Sequence, residues 1–390
     1  MTEQDRLVSE IVKWFHDSSE QVFEYSGPAG TGKSFVMNRV VQALNLTDLE
    51  IAPMAYVGAA AVVMRVKGLR TARTIHSTIY KIEKIPDYNN IDPVLGVPRK
   101  KLIFKPRDTL PGVRLILIDE GSQVPIQMRN DILKFGIKTL VCGDLNQLPP
   151  VASVPAFLTG ENVFMLTELW RQEAESGIVY LAHKALSGAP LQPGFYGNAC
   201  VIRDDMLTNE MLDWADVILT GRNATREHFN KYIRETIYGI HSQLPVYMDR
   251  MICRMNNWYS DLDGVSLANG LSGTVTSQPD IAGFDGKSYT MNFTPDLSDI
   301  TFRNLECDFR YLVSDTETRK QIKKQRGLRY GNKFEYAYAI TTHLSQGSQY
   351  EKGMYYLEHM KPSESRNLDY TAITRFSKYC TVIIPTRKYY

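Results

Sequence analysis

Cysteine is scarce and scattered in this sequence: five in 390 residues, at Cys142, Cys200, Cys253, Cys307 and Cys380. None forms a C-x-x-C pair, so neither a disulfide framework nor a thiolate zinc site organises the chain, and a reducing, cytoplasmic setting is expected. No apolar run approaches the ~18 residues of a membrane span. The opening MTEQDRLVSE is charged from its third residue, so no signal peptide and no membrane partner are expected. Strong charge of one sign is also lacking, the formal net charge being +2. Internal repeats and low-complexity segments are missing too. With 43% hydrophobic and 23% charged residues, the chain is ordinary globular material, long enough for two or three domains with proper cores.

Periodicity predicts repeated α/β units. Leu7, Val8, Ile11, Val12 and Phe15 recur at helical spacing behind Thr2, an N-cap candidate. A short strand over 21–25 leads into a glycine-rich turn, then into a helix carrying Phe35, Val36, Val40, Val41 and Leu44. EIAPMA, VRLILID and TLVCGD read as buried strands, each ending in a turn signal or a polar residue where a ligand edge would lie. DVILTGRN, YAYAITT and CTVII repeat the grammar in the second half, with helices near 225–238 and 366–376. The expected fold is therefore α/β, built on parallel sheets. Two stretches break the pattern: an insertion at Ile79 to Pro111, and short Gly- and Asn-punctuated pieces over roughly 240–334 that read as a small all-β insertion.

The turn itself is SGPAGTGKSF. Gly27, Gly32, Lys33 and Ser34 satisfy G-x-x-x-x-G-K-[ST], and the loop Gly27, Pro28, Ala29, Gly30, Thr31, Gly32 would wrap backbone N–H groups around phosphate oxygens. Lys33 would reach the β- and γ-phosphates, and Ser34 would ligate Mg²⁺. LILIDEGS ends a hydrophobic strand on two acids. Asp119 suits the same Mg²⁺, and Glu120 suits orienting and deprotonating water. In VCGDLNQLPPV, Gln147 on a rigid loop would sense the γ-phosphate. Two runs, RKKLIFKPR (99–107) and RKQIKKQRGLRYGNK (319–333), carry Lys and Arg with no acid; each is a solvated loop face or a nucleic-acid contact.

The order of these and later motifs resembles the superfamily 1 helicases, closest to the RecD-like and Dda-like 5′→3′ group of superfamily 1B, and the resemblance runs from Gln4 to Arg375. It implies two RecA-like motor domains, 1–165 and 166–390, and an ATP- and Mg²⁺-dependent helicase acting in replication or recombination. Gln4 matches the adenine-reading glutamine. IAPMAYVGAAAVVMR and TARTIHSTI resemble strand-contacting motifs, with Pro53, Thr74 and His76 the contact candidates. LTELWRQ supplies Arg171, which would face the γ-phosphate. YAITTHLSQGSQY brings Gly347 to the nucleotide and Thr342 and His343 to the strand, while LDYTAITRFSK supplies Arg375 as the arginine finger. Ile79 to Pro111 would be a β-hairpin pin with Phe104 as fork wedge or buried hairpin aromatic, and 240–334 an SH3-like barrel beginning near VSLANGLSGTV.

The sequence departs from that pattern at Leu344, where the family has Lys, and at Gln349, where it has an acid that Glu351 could replace. Expected partners are single-stranded and forked duplex DNA, together with a single-strand-binding protein or other replication proteins. The chain would work as a monomer in a bacterial or phage-infected cytoplasm. An ATP-gated clamp or translocase that displaces proteins without separating strands, and a P-loop ATPase independent of nucleic acid, remain the alternatives.

Overall fold

The computed structural model describes residues 2–91, 96–149, 154–160, 162–169, 175–262, 265–282, 286–324, 331–358, 360 and 362–386. Among them no helix is long and apolar enough to cross a membrane, and all five cysteines are free thiols.

The first helix, Glu3–Asp17, starts where the residue types dictate. Thr2 caps it, and Asp5 reciprocates in a capping box. Its Leu7, Ile11 and Trp14 are buried against the first sheet's core. That sheet has six parallel strands in the order Arg73–Thr74, Ile51–Ala55, Leu115–Asp119, Lys138–Gly143, Val22–Ser26, Phe164–Met165. The apolar runs IAPMA and LILI are buried along their length because helices cover both faces of a parallel sheet. The tips of Val22–Ser26, Lys138–Gly143 and Leu115–Asp119 are neighbours, so the loops leaving them converge where a ligand is expected in an open α/β sheet.

The second sheet has the order Ala339–Thr341, Val217–Thr220, Tyr350–Tyr356, Phe376–Ile384, Ala199–Arg203, Gly194–Tyr196. Only the last strand is antiparallel. Helices Gly177–Leu186 and Pro362–Ile373 pack together on this sheet. A third, antiparallel sheet orders Asp280–Ala282, Ser288–Pro295, Ser272–Val275, Arg250–Cys253 and Phe334–Tyr336, with Phe302–Asp308 also pairing with Ser288–Pro295. It corrects the reading of YAYAITT as one strand. Phe334–Tyr336 pairs with Arg250–Cys253 in the β insertion, and only Ala339–Thr341 joins the second parallel sheet. The insertion leans on the first unit: Val62 of helix Gly58–Val66 enters its core, and that helix packs on the strand Val265–Leu267.

Within the first insertion, Tyr80–Ile91 and Pro98–Pro106 form an antiparallel hairpin whose register runs from Tyr80↔Pro106 to Ile91↔Pro98. Phe104 pairs with Ile82, two residues up from the base. Of the two readings of Phe104, fork wedge or hairpin aromatic, this position near the base favours the second. Alternation along a long hairpin places residue 104 near the root, and the exposed aromatic further out is Tyr88, with 75% of its surface accessible.

Candidate active site

The phosphate loop leaves Val22–Ser26 and feeds helix Lys33–Ala43. Gly27 has no room for a side chain, since a Cβ there would lie 2.5 Å from Thr31 Oγ1 and 2.8 Å from Leu166 Cβ. Gly32 sits at φ 81° as the residue before the helix, a left-handed conformation that glycine takes without strain. The first helical N–H groups therefore face the cleft with no side-chain cap. Lys33 Nζ donates to the Gly27 and Pro28 carbonyls at 2.7 and 3.0 Å and lies 3.9 Å from Asp144 Oδ2.

Asp119 is held by two donors, the Glu120 N–H at 2.9 Å and the Cys142 thiol at 3.1 Å. Glu120 adopts φ 53°, a strained position for a non-glycine residue, which turns its side chain away from the strand direction. Glu120 Oε1 meets Arg375 Nη1 at 3.8 Å, while the buried Oε2 has no hydrogen-bond partner. Burial raises the Glu120 carboxyl above its ordinary range against the pull of Arg375, and Asp119 adds to the rise. Arg375 is fixed by the Thr371 carbonyl at 3.1 Å and the Ser348 carbonyl at 3.4 Å. Gln147 is buried, and its Oε1 is a second orphaned acceptor facing the cleft.

These groups line one cavity of about 320 Å³ between the two parallel sheets, with Ser34 and Gly347 among its walls. Gly347, at φ 78°, comes so close to the first unit that a Cβ would lie 2.5 Å from Val57 Cγ2. Gln349 also lines the cavity, whereas Glu351 is exposed and pairs with Lys378 at 2.8 Å. Glu351 therefore does not stand in for the missing acid. Leu344 packs against the second core. Gln4 is 2% exposed and donates its amide to the Thr31 and Glu168 carbonyls at 3.1 and 3.3 Å, so it braces the phosphate loop from behind the cavity wall. Arg171 lies outside the described residues.

Of the strand-contact candidates, three are withdrawn from the surface. Pro53 is buried inside Ile51–Ala55, Thr74 caps the short helix Ile75–Ile79 by accepting from the Ser77 N–H, and Thr342 is fully buried with its hydroxyl on the Thr220 carbonyl. His343 is exposed. His76 belongs to an aromatic cluster with Tyr56, Tyr80 and Phe104, ring centroids 5.7–6.2 Å apart. Burial pushes its imidazole down to about 4, so it is neutral at pH 7 and offers a ring rather than a charge. His76, Tyr80, Phe104 and Lys134 border a second cavity of about 420 Å³. In the 319–333 run, Arg319 is spent on the Tyr311 and Leu312 carbonyls and on Glu227, and Lys333 is buried. Arg319 and Lys333 thus serve the fold, while Lys320 and Lys323 are exposed, Lys320 beside Glu317 at 3.0 Å.

Residues missed by sequence reasoning sit in motifs already quoted. Tyr370 and Asp144 lie in LDYTAITR and VCGD.

Two parallel sheets that share one phosphate cavity, with a carboxylate from one and an arginine from the other, define a two-lobed P-loop ATPase architecture. The sequence profile of a family described as an AAA domain matches residues 2–196, half of the chain, and the chain belongs to that family. It is 30% identical over 177 residues to the ATP-dependent DNA helicase Pif1 of a Psychrobacter species, an overlap of 42% of this chain and 25% of that protein. The chain spans a quarter or less of the length of the curated relatives it matches. Among solved structures, a Pif1 helicase described in DNA unwinding at forked duplex DNA aligns with TM-score 0.54 and 18% identity, covering 98% of this chain and 92% of that one. The Bacteroides Pif1 helicase in complex with ADP-AlF3 and single-stranded DNA aligns with TM-score 0.53 and 16% identity, covering 99% and 92%. The likeness extends over nearly the whole chain, and the fold is that of these Pif1 helicase structures.

Proposed function

We propose that the chain is a DNA-dependent ATPase and helicase that moves 5′→3′ on single-stranded DNA and opens duplex at a fork, as a monomer, in replication or recombination. The observation that carries this reading is the meeting of Arg375 and Glu120 across the cleft, 3.8 Å apart and contributed by different sheets. Hydrolysis by such a site requires the two lobes to close, and closure repeated against a bound strand is movement. The lobes would divide at 1–165 and 166–390, with the hairpin in about 79–111 as pin and about 240–334 as an SH3-like element beside the strand.

The residues fit ATP with Mg²⁺. Ser34 and Asp119 offer the hard oxygen donors that this ion accepts alongside phosphates and water. Among the described residues no cluster of three His, Cys, Asp or Glu could hold a metal without the nucleotide. When bound, the ion would neutralise phosphate charge. Lys33 would exchange its two loop carbonyls for phosphate oxygens. Glu120, with one free oxygen and a raised carboxyl, suits holding a water and accepting its proton. Gln147 would place its orphaned oxygen on the same water, and Arg375 would offset developing charge. Gln4 would act through the loop it braces.

The test is unwinding of partial duplexes bearing a 5′ or a 3′ single-stranded tail, run beside ATP turnover with and without single strand. Opening of only the 5′-tailed substrate supports the reading. Turnover that ignores DNA overturns it, and DNA-stimulated turnover without opening favours the translocase.

A further inference from the structure

Just ahead of Arg375, which follows its C-terminus, the helix Pro362–Ile373 sends three side chains across the cleft from one face, at the i, i+3 and i+4 spacing of neighbours on a helix. Asn367 Nδ2 donates to the Asn146 carbonyl at 2.8 Å, and Thr371 Oγ1 accepts from the Leu148 N–H at 2.9 Å. Tyr370 lies between them. It is fully buried, with its hydroxyl accepting from the Ala29 N–H of the phosphate loop at 2.6 Å and donating to Asp144 Oδ2 at 2.6 Å. Asp144 is the same carboxylate that faces Lys33.

One oxygen from the second lobe thus joins the phosphate loop to the loop that carries Gln147. The side chain of Arg375 is itself bonded to the Thr371 carbonyl, one residue on from Tyr370. A rotation of the helix that moved Arg375 off Glu120 would stretch both Tyr370 bonds. We propose that Tyr370 is a positioning residue for ATP hydrolysis: its hydroxyl sets the register between the lobes in which Arg375 reaches the reacting phosphate. This rests on the ATPase reading above.

The perturbation is Tyr370→Phe, which keeps the buried ring and removes one oxygen. With the full chain and saturating single-stranded DNA, kcat for ATP should fall about 10- to 100-fold, the scale of a misplacement of about 1 Å. KM for ATP should change less than about 3-fold, since Lys33 and the loop remain, and the melting temperature should stay near that of the unaltered chain. The second arm places Tyr370→Phe on Arg375→Ala. If Tyr370 acts through Arg375, the double variant turns over no more slowly than Arg375→Ala alone. Multiplied losses, an unchanged kcat in the single variant, or a Tyr370→Phe chain that fails to fold would each overturn the proposal. A starting protein that does not hydrolyse ATP would instead overturn the ATPase reading itself.

Discussion

Glu335 should hold the β insertion to the second lobe, and its replacement by Gln measures how firmly. Its carboxylate receives Arg226 at 2.6 Å from helix Asn223–Tyr232, Arg254 at 3.0 Å, Arg319 at 3.9 Å and the Tyr311 hydroxyl at 2.7 Å. With the Glu335 and Arg226 side chains 6% and 5% exposed, water screens this cluster little. The three cations, opposing the cost of burial, draw the carboxyl down from an ordinary 4.5 to about 2. At about 1.4 kcal/mol for each pH unit, that gap is on the order of 3 kcal/mol favouring the folded state. Removing one partner of a buried ion pair independently suggests about 3–5 kcal/mol. Glu335→Gln keeps the shape but sets an amide against three guanidiniums. Amide hydrogen exchange in Arg250–Cys253 and Phe334–Tyr336 should therefore accelerate about 100-fold at pH 7, if those strands open locally. The folded value lies below the unfolded one, so in the unaltered chain this stabilisation is complete above about pH 4.5 and fades as pH falls towards about 2. Unchanged protection in the variant would refute the account.

Lys33→Ala should abolish ATP turnover and leave single-strand binding near its starting level, because the Lys33 ammonium is bonded to the phosphate loop and faces Asp144; steady-state ATPase beside a DNA titration checks it. Arg375→Ala should lower kcat by about 10³-fold or more with a small change in nucleotide affinity, as expected of a group that meets charge only in the transition state, and a fluorescent-nucleotide titration separates the two effects. Tyr88→Ala should slow strand separation while ATPase and melting temperature hold. Phe104→Ala, which opens a gap beside His76 and Tyr80, should lower the melting temperature, as lost aromatic packing does, by an amount equivalent to a few kcal/mol.

The nucleotide half of the site was legible because its parts are local. A glycine turn between strand and helix, and two acids at the tip of an apolar strand, need only the parallel-sheet pattern to meet. The strand-contact residues were less legible. Pro53, Thr74 and Thr342 stand within motifs at the right places in the chain, but whether a side chain faces solvent depends on what covers it. A central strand position, a helix cap and a buried turn withdrew these three. The place of Phe104 was illegible for a related reason: the basic residues around it mark an exposed hairpin but do not say how far along it a residue lies. Only the register Ile82↔Phe104 does that.

Tyr370 shows the complementary limit. Nothing in the spacing of YTAITR distinguishes a tyrosine packed in its own lobe from one that crosses a cleft, since both are buried aromatics on a helix. The distinction arises only when the hydroxyl's two partners, Ala29 and Asp144, prove to belong to the other sheet. A buried phenol must find partners or bear the cost of desolvation. Here burial, with Asp144 beside it, holds the phenol well above its ordinary pKa, which keeps the hydroxyl a donor. A group that must stay bonded, and whose bonds cross from one lobe to the other, would make the proposed closure a discrete state rather than a graded one. On the proposal made for Tyr370, Arg375 would reach the reacting phosphate in the same step that completes those bonds.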